Sequence, residues 1–453
     1  MNLYNHRFQI ALVIYCIILD TLAYYVTLFY STPFRLPLST NLNVLPFLLQ
    51  ILVTFLSISI NKGRPNCPPS LSYYIFLTLT VFPSLAFAIY IDTSPLFPLS
   101  ALSASLGACT GLFFSRRVNV FRSASIKGLT SSNIKLFATS VISIVLLILI
   151  SSKNISLTSI AYTYNDMYSV RSSFEGGNES LRQIYFYLLS PLAISFLLYR
   201  LTYYPYLLLA VKRTFSFYIQ LTALLVILII SIMISMTIGS KFGLIYLALL
   251  FLFYYILKPL LNQQKLGIGM QTVCMNYLLI LNAFSLVGAL IAVIFQYDAS
   301  TNIFFHSFYS RFLFAEHAVS HHVFTLMGNS CIIQSCSFLQ AYDWSVATYI
   351  GQTIWDANTT ATLNSISGAW VSSDLLGVYL AFTLVQYLFS SLEILVLRNS
   401  NFYLLPVLMC YSYLLANLEI PTLLRSKGFI LFILISIIVP SKLARATGST
   451  LRE

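Results

Sequence analysis

Apolar runs of bilayer length recur along this chain, and almost nothing charged interrupts them. Charged residues make up 8% of its 453 residues and hydrophobic ones 58%, against roughly 25% charge in water-soluble domains. A surface so poor in charge cannot be wetted, so the bilayer has to serve as solvent. There every backbone N–H and C=O needs an internal partner, which a helix supplies. The chain reads as an all-α polytopic integral membrane protein, a single membrane domain over 1–453 with about twelve transmembrane helices and one large, partly helical loop. The expected spans are 8–30, 44–60, 71–91, 96–114, 136–151, 184–201, 215–238, 242–257, 271–295, 371–395, 402–416 and 428–439. The first is long enough to cross and has no small-residue cleavage site, so it is kept as a mature helix rather than a leader.

Orientation follows from Lys and Arg, which concentrate on the cytoplasmic side of membrane proteins. With the N-terminus inside, 17 of the 25 fall on inner segments, most densely over 115–135. An even number of spans puts both termini in the cytoplasm. Ten of the 13 acidic residues then face outward. The net charge of +12 is accounted for by this asymmetry and by attraction to anionic headgroups, without nucleic acid as a partner. Asp20 is the one acid within a span, where a charge costs about 2.5–3.5 kcal/mol on insertion scales. It reads either as a transporter's proton site or, since no other charge lies at its depth, as a structural hydrogen bond.

Two outward regions are polar. The first loop, 152–183, holds Tyr164, Asn165, Tyr168, Arg171, Arg182 and a Gly176–Gly177 pair. Its tyrosines suit either stacking on sugar rings or the headgroup belt. The large loop, 296–370, carries helical periodicity over 304–327, with Arg311, Ala315, Ala318 and His322 on one face. An amphipathic helix at the membrane surface is expected there, exposing Arg311 and His322 either to a cleft or to lipid phosphate. His317, His321 and adjacent His322 sit on one turn. No Cys or carboxylate completes a zinc set, so no metal is assigned, and a histidine base is the better reading. Cys331 and Cys336 are either a disulfide or two buried thiols. Lys241 lies in a tight outward turn, either snorkelling to headgroups or aimed at an anion.

In order along the chain, Tyr164–Arg171, Leu181–Pro191, Ile238-Gly239-Ser240-Lys241, Tyr309-Ser310-Arg311, the small-residue stretch Asn358–Trp370 and the Glu419/Arg425 turn resemble the layout of the Wzy-type polysaccharide polymerases of O-antigen and enterobacterial common antigen. Lys241 departs from that pattern, which usually has Arg there. The resemblance implies a metal-independent glycosyltransferase without cofactor, in the bacterial inner membrane with its active face periplasmic. Such an enzyme moves a growing glycan from undecaprenyl pyrophosphate to the next lipid-linked repeat unit, with a chain-length regulator as a further partner.

The residues suit such chemistry on their own terms. Without a metal, cations must meet the charge growing on the leaving pyrophosphate, and guanidinium matches phosphate oxygens. Arg311, Arg171, Arg182, Lys241 and Arg425 are the candidates. Glu316, His317, His321 and His322 are candidate bases for the acceptor hydroxyl. Tyr164, Asn165, Tyr168 and Tyr309 are candidate glycan contacts. A lipid-linked oligosaccharide flippase or other secondary transporter, an O-antigen ligase, and a non-catalytic assembly protein remain as alternatives.

Overall fold

The computed structural model describes residues 2–30, 35–61, 70–117, 184–208, 215–237, 241–262, 266–294, 313–327, 346–355, 363–398, 401–425 and 427–438. In chain order the helices are α1 (Asn2–Tyr30), α2 (Val44–Asn61), α3 (Leu71–Phe76), a π-helical segment (Leu77–Val81), α4 (Phe82–Tyr90), α5 (Leu96–Arg117), a second π segment (Tyr185–Leu189), α6 (Ser190–Leu208), α7 (Phe215–Thr237), α8 (Lys241–Asn262) and α9 (Leu266–Ile294). Then follow α10 (Ala315–Met327), α11 (Val346–Trp355), α12 (Ser365–Arg398), a 3-10 turn (Phe402–Leu404), α13 (Leu405–Asn417), α14 (Ile420–Arg425) and α15 (Phe429–Ile438). Among the described residues there is no strand, only an isolated bridge between Leu38 and Ile91.

This is an all-α membrane protein. Among the described residues five stretches are long and apolar enough to cross a bilayer: His6–Leu28, Leu71–Tyr90, Leu96–Arg116, Gly269–Ile294 and Asp374–Leu397. Four shorter apolar helices accompany them, Val44–Ile60, Tyr187–Tyr199, Ile245–Leu260 and Phe402–Asn417. The span expected over 136–151 lies outside the described residues. The expected 428–439 span is a helix of 10 residues, α15.

The chain divides into two compact units. One comprises Met1–Asn119, Gln263–Ser391 and Ser412–Ile420; the other comprises Val120–Asn262, Leu392–Tyr411 and Pro421–Glu453. In the first unit, α1 turns Phe8, Leu12, Tyr15, Leu19, Leu22 and Val26 inward and leaves Ile10, Ile14, Ile17 and Leu28 exposed. An apolar residue on both faces is the pattern of a helix solvated by lipid on one side. α2 repeats it with Phe47, Leu48, Ile51 and Phe55 outward. Within the membrane Asp20 accepts a hydrogen bond from Gln50 Nε2 at 2.9 Å.

The segment Leu71–Tyr90 is buried from Leu71 to Ile89 and forms the axis of this unit. Its π turn has a local cause. The Phe82 N–H bonds Leu77 O, five residues back, which frees the carbonyl of Thr78 from its α-helical donor. The Tyr15 hydroxyl donates to that carbonyl at 2.5 Å, and Tyr277 and Thr78 hydroxyls pair at 2.6 Å. Pro83 has no N–H for the carbonyl four residues before it, Leu79. The last carbonyls of α4 are closed by the connection to α2: Asn43 donates through its side chain to Ala88 O at 3.1 Å and through its backbone to Ile89 O at 3.0 Å. Helix ends in an apolar setting need such partners.

α5 and α12 run side by side in the same direction. Ser103 donates to Leu375 O at 2.7 Å, and one turn on Gly107 lies against the Tyr379 carbonyl and Gly111 against that of Thr383. This is a small-xxx-small seam, in which missing side chains let two backbones touch.

α12 is two helices joined at Asp374, whose φ of 63° and ψ of −170° are not helical. Only glycine adopts that region without strain, which for other residues costs about 1–3 kcal/mol. The exposed Asp374 carboxylate accepts the Leu375 N–H at 2.9 Å. Replacing an N-cap aspartate by glycine loses only a few tenths of a kcal/mol. Asp374→Gly is therefore expected to stabilise the protein by about 1 kcal/mol, read as a higher unfolding temperature in detergent.

In the second unit, Ser190 and Ser231 hydroxyls join α6 to α7 at 2.7 Å. Tyr246 of α8 donates to Tyr187 O at 3.1 Å. The Lys427 ammonium lies 4.5 Å from the centre of the Tyr187 ring. Gly428, with φ 78°, makes the turn into α15, and Tyr411 OH donates to Lys427 O at 2.9 Å.

Candidate functional site

A polar cluster closes one end of the first unit, built where α10 packs on α4, α5 and α11. It starts from the defect at Pro83. Ser84 follows the proline, and its hydroxyl lies 2.8 Å from His317 Nδ1 and 2.8 Å from Thr80 O. The His317 ring also sits against the Leu79 carbonyl, the one Pro83 deprives of its α-helical donor. Asn364 Nδ2 approaches His317 Nδ1 at 3.4 Å. One turn on, His321 Nδ1 pairs with the Thr93 hydroxyl at 3.1 Å. Both rings are buried. Burial disfavours the imidazolium, lowering His317 to about 4 against the slight opposing pull of the Leu79 carbonyl. Burial, and then His322, lower His321 to about 3. Both are neutral at physiological pH.

The start of α12 forms the other wall. Asn364 caps the helix, its Oδ1 accepting the Ser367 N–H at 2.9 Å and the Ser367 hydroxyl at 3.0 Å. Ser320 of α10 donates to Glu316 O at 2.7 Å and reaches Ser367 Oγ at 3.3 Å. Below them Phe324 packs against Trp370, ring centres 4.4 Å apart, and against Phe97, at 5.4 Å, both at a tilt. The Trp370 N–H and the Ser365 hydroxyl are buried without partners among the described residues. Beyond, Glu419 lies across Gly368: a Cβ added to that glycine would stand 2.9 Å from Glu419 Cγ. Partial burial raises the Glu419 pKa. Between α1 and α2, Arg35, itself at φ 50°, donates to Thr353 O of α11 at 3.3 Å.

This corrects the expected surface helix. Over Ala315–Met327 both sides are covered: Ala318, Val319, Val323 and Phe324 are buried, and so are His317, Ser320, His321 and His322. His322 is only 9% exposed, not open to a cleft. Helical periodicity cannot distinguish a polar stripe facing water from one facing other hydrogen-bonding groups, and here Ser84, Thr93, Asn364 and Ser367 supply the partners.

Of the residues singled out in the sequence, Glu316, His317, His321 and His322 are brought together on α10. Lys241 opens α8 and Arg425 closes α14, both in the second unit. Tyr164, Asn165, Tyr168, Arg171, Arg182, Tyr309, Arg311, Cys331 and Cys336 lie outside the described residues. The sequence reading missed Ser84 and Thr93, and held Asn364 and Trp370 only as members of the small-residue stretch Asn358–Trp370. Asn364 carried a signal, the Asn-x-x-Ser spacing of an N-cap; Ser84 carried one in the proline before it. Among the described residues no three His, Cys, Asp or Glu side chains group as metal ligands. No family model matches the chain, and neither the curated proteins nor the solved structures contain a similar one.

Proposed function

We propose that this protein is a polymerase of lipid-linked oligosaccharide repeat units, lying in the bacterial inner membrane with about twelve spans and both termini cytoplasmic. It transfers the growing glycan from undecaprenyl pyrophosphate to the next repeat unit at the periplasmic face, without a metal. The observation that carries the reading is the polar end of the first unit. A lipid-solvated bundle with a buried axial span carries His, Ser, Asn and carboxylate groups at one end, in the connections between spans. A reaction between lipid-anchored substrates needs its polar groups at that level. The order of the Tyr/Arg, Gly-Ser-Lys and Tyr-Ser-Arg segments along the chain supports the same reading. In it Arg311, assisted by Arg171, Arg182, Lys241 and Arg425, stabilises the departing pyrophosphate. Tyr164, Asn165, Tyr168 and Tyr309 hold the glycan.

Arg311→Ala tests this. Loss of one donor to a developing anion costs about 100-fold to 1,000-fold in rate, so long glycan chains are expected to vanish from cells while protein level and insertion stay normal. Unchanged chain length would remove Arg311 from the mechanism.

A second reading, a flippase or other secondary transporter, gains from the break at Asp374 and the π turn in the buried axial span, since transporters use discontinuous helices. The polymerase is preferred because, among the described residues of the first unit, the histidines of α10 and the carboxylates other than Asp20 lie toward one end, while at mid-span Asp20 is held by Gln50.

A further inference from the structure

We propose that Glu419 is the base that takes the acceptor hydroxyl's proton, an assignment that rests on the polymerase reading. Four carboxylates stand at this end of the first unit among the described residues, and three are poorly placed for the task. Asp374 is exposed and already accepts the Leu375 N–H. Asp92 is exposed to solvent. Glu316 sits in the first turn of α10, where the helix dipole favours the anion and weakens it as a base. The histidines are sealed inside the bundle, bonded to Ser84 and Thr93.

Glu419 differs in three respects. It is partly exposed, so a substrate can reach it. It is held in place: Gly368 supplies a bare stretch of helix, and the Glu419 Cγ, Cβ and Cδ would lie 2.9, 3.4 and 3.5 Å from a Cβ at that position. Finally, partial desolvation makes it more basic than an ordinary glutamate. The cradle adjoins the rest of the cluster, because Ser367, next to Gly368, meets Ser320 of α10.

In the reaction the acceptor oxygen forms the new bond to the sugar's anomeric carbon as the bond from that carbon to the pyrophosphate oxygen breaks. The leaving undecaprenyl pyrophosphate keeps the electron pair, the hydroxyl proton passes to the Glu419 carboxylate, and Glu419 then releases it to water.

The test uses cells lacking this protein, whose own lipid-linked repeat units are the substrate, supplied with each variant and scored for extension per inserted molecule. General base catalysis contributes about 100-fold to 10,000-fold. Glu419→Gln is expected to lose at least about 100-fold with normal insertion, leaving capped single repeats. Glu419→Asp is expected to retain part of the activity. Gly368→Ala, which keeps the carboxylate but displaces it, is expected to lose up to about 100-fold, as misplacement by about 1 Å can. Full extension by inserted Glu419→Gln would overturn the assignment while leaving the polymerase reading intact. If Glu419→Gln fails to insert, full extension by Gly368→Ala overturns it instead. Full-length chains in cells without any copy would overturn the polymerase reading itself.

Discussion

Gly107→Leu or Gly111→Leu is expected to leave almost no folded protein in the membrane. At both positions the α5 backbone touches the α12 backbone, and an added Cβ would meet the carbonyl oxygen of Tyr379 or Thr383. A flexible side chain could swing aside, but a helix backbone cannot. The two helices would have to separate, losing the Ser103–Leu375 bond and the Tyr379–Thr110 hydroxyl pair at 3.0 Å. Overpacking in an interior that can adjust already costs about 1–3 kcal/mol. Across a rigid seam the cost should exceed that range and consume most of the roughly 5–15 kcal/mol that holds a typical domain together. Membrane abundance and the monodisperse peak on size exclusion should both fall by at least about tenfold. Leucine tolerated at both positions with normal yield would show that the seam is not a packing constraint.

Acidification is expected to destabilise the protein between about pH 6.5 and pH 4. An unfolded histidine titrates near 6.5, whereas folded His317 and His321 titrate near 4 and near 3. Above 6.5 both states are neutral and the full stability is present. As pH falls through 6.5 the unfolded chain takes up protons that the folded one refuses, so stability drops with pH. Each histidine contributes up to about 1.4 kcal/mol per pH unit, and the pair up to about twice that. Glu316, Asp92 and Glu419 face this cluster and His322 adjoins His321; burial raises the Glu419 carboxyl, which takes up its proton earlier in the folded state and so offsets part of the loss as pH falls. Unfolding temperature in nanodiscs should be flat from pH 8 to pH 7 and fall steeply towards pH 5. His317→Gln, which keeps a hydrogen-bonding group but does not titrate, should roughly halve the slope. An unfolding temperature unchanged down to pH 5 would contradict the buried, neutral state of these rings.

Five of the expected spans were legible among the described residues because lipid solvation writes itself as length and apolarity, and Leu71–Tyr90 and Leu96–Arg116 fall close to where composition put them. What periodicity could not supply was which helices are central. Leu71–Tyr90 looks like any other span, yet it is the axis, and its Pro83 and hydroxyl residues mark the place where another helix must complete its hydrogen bonds. The histidines of α10 were recognisable as chemically notable. Their burial was not, because it depends on Ser84, Thr93 and Asn364, which are hundreds of residues distant or across a loop. Glu419 was visible only as half of a charged turn; its cradle exists because Gly368 lacks a side chain, a tertiary fact.

The most direct test of the proposed reaction is the set of lipid-linked glycans that accumulates in cells lacking this protein. Capped single repeat units on the outward leaflet, with no long chains, are the expected result. Precursor held on the inner leaflet would contradict it and make the protein a flippase.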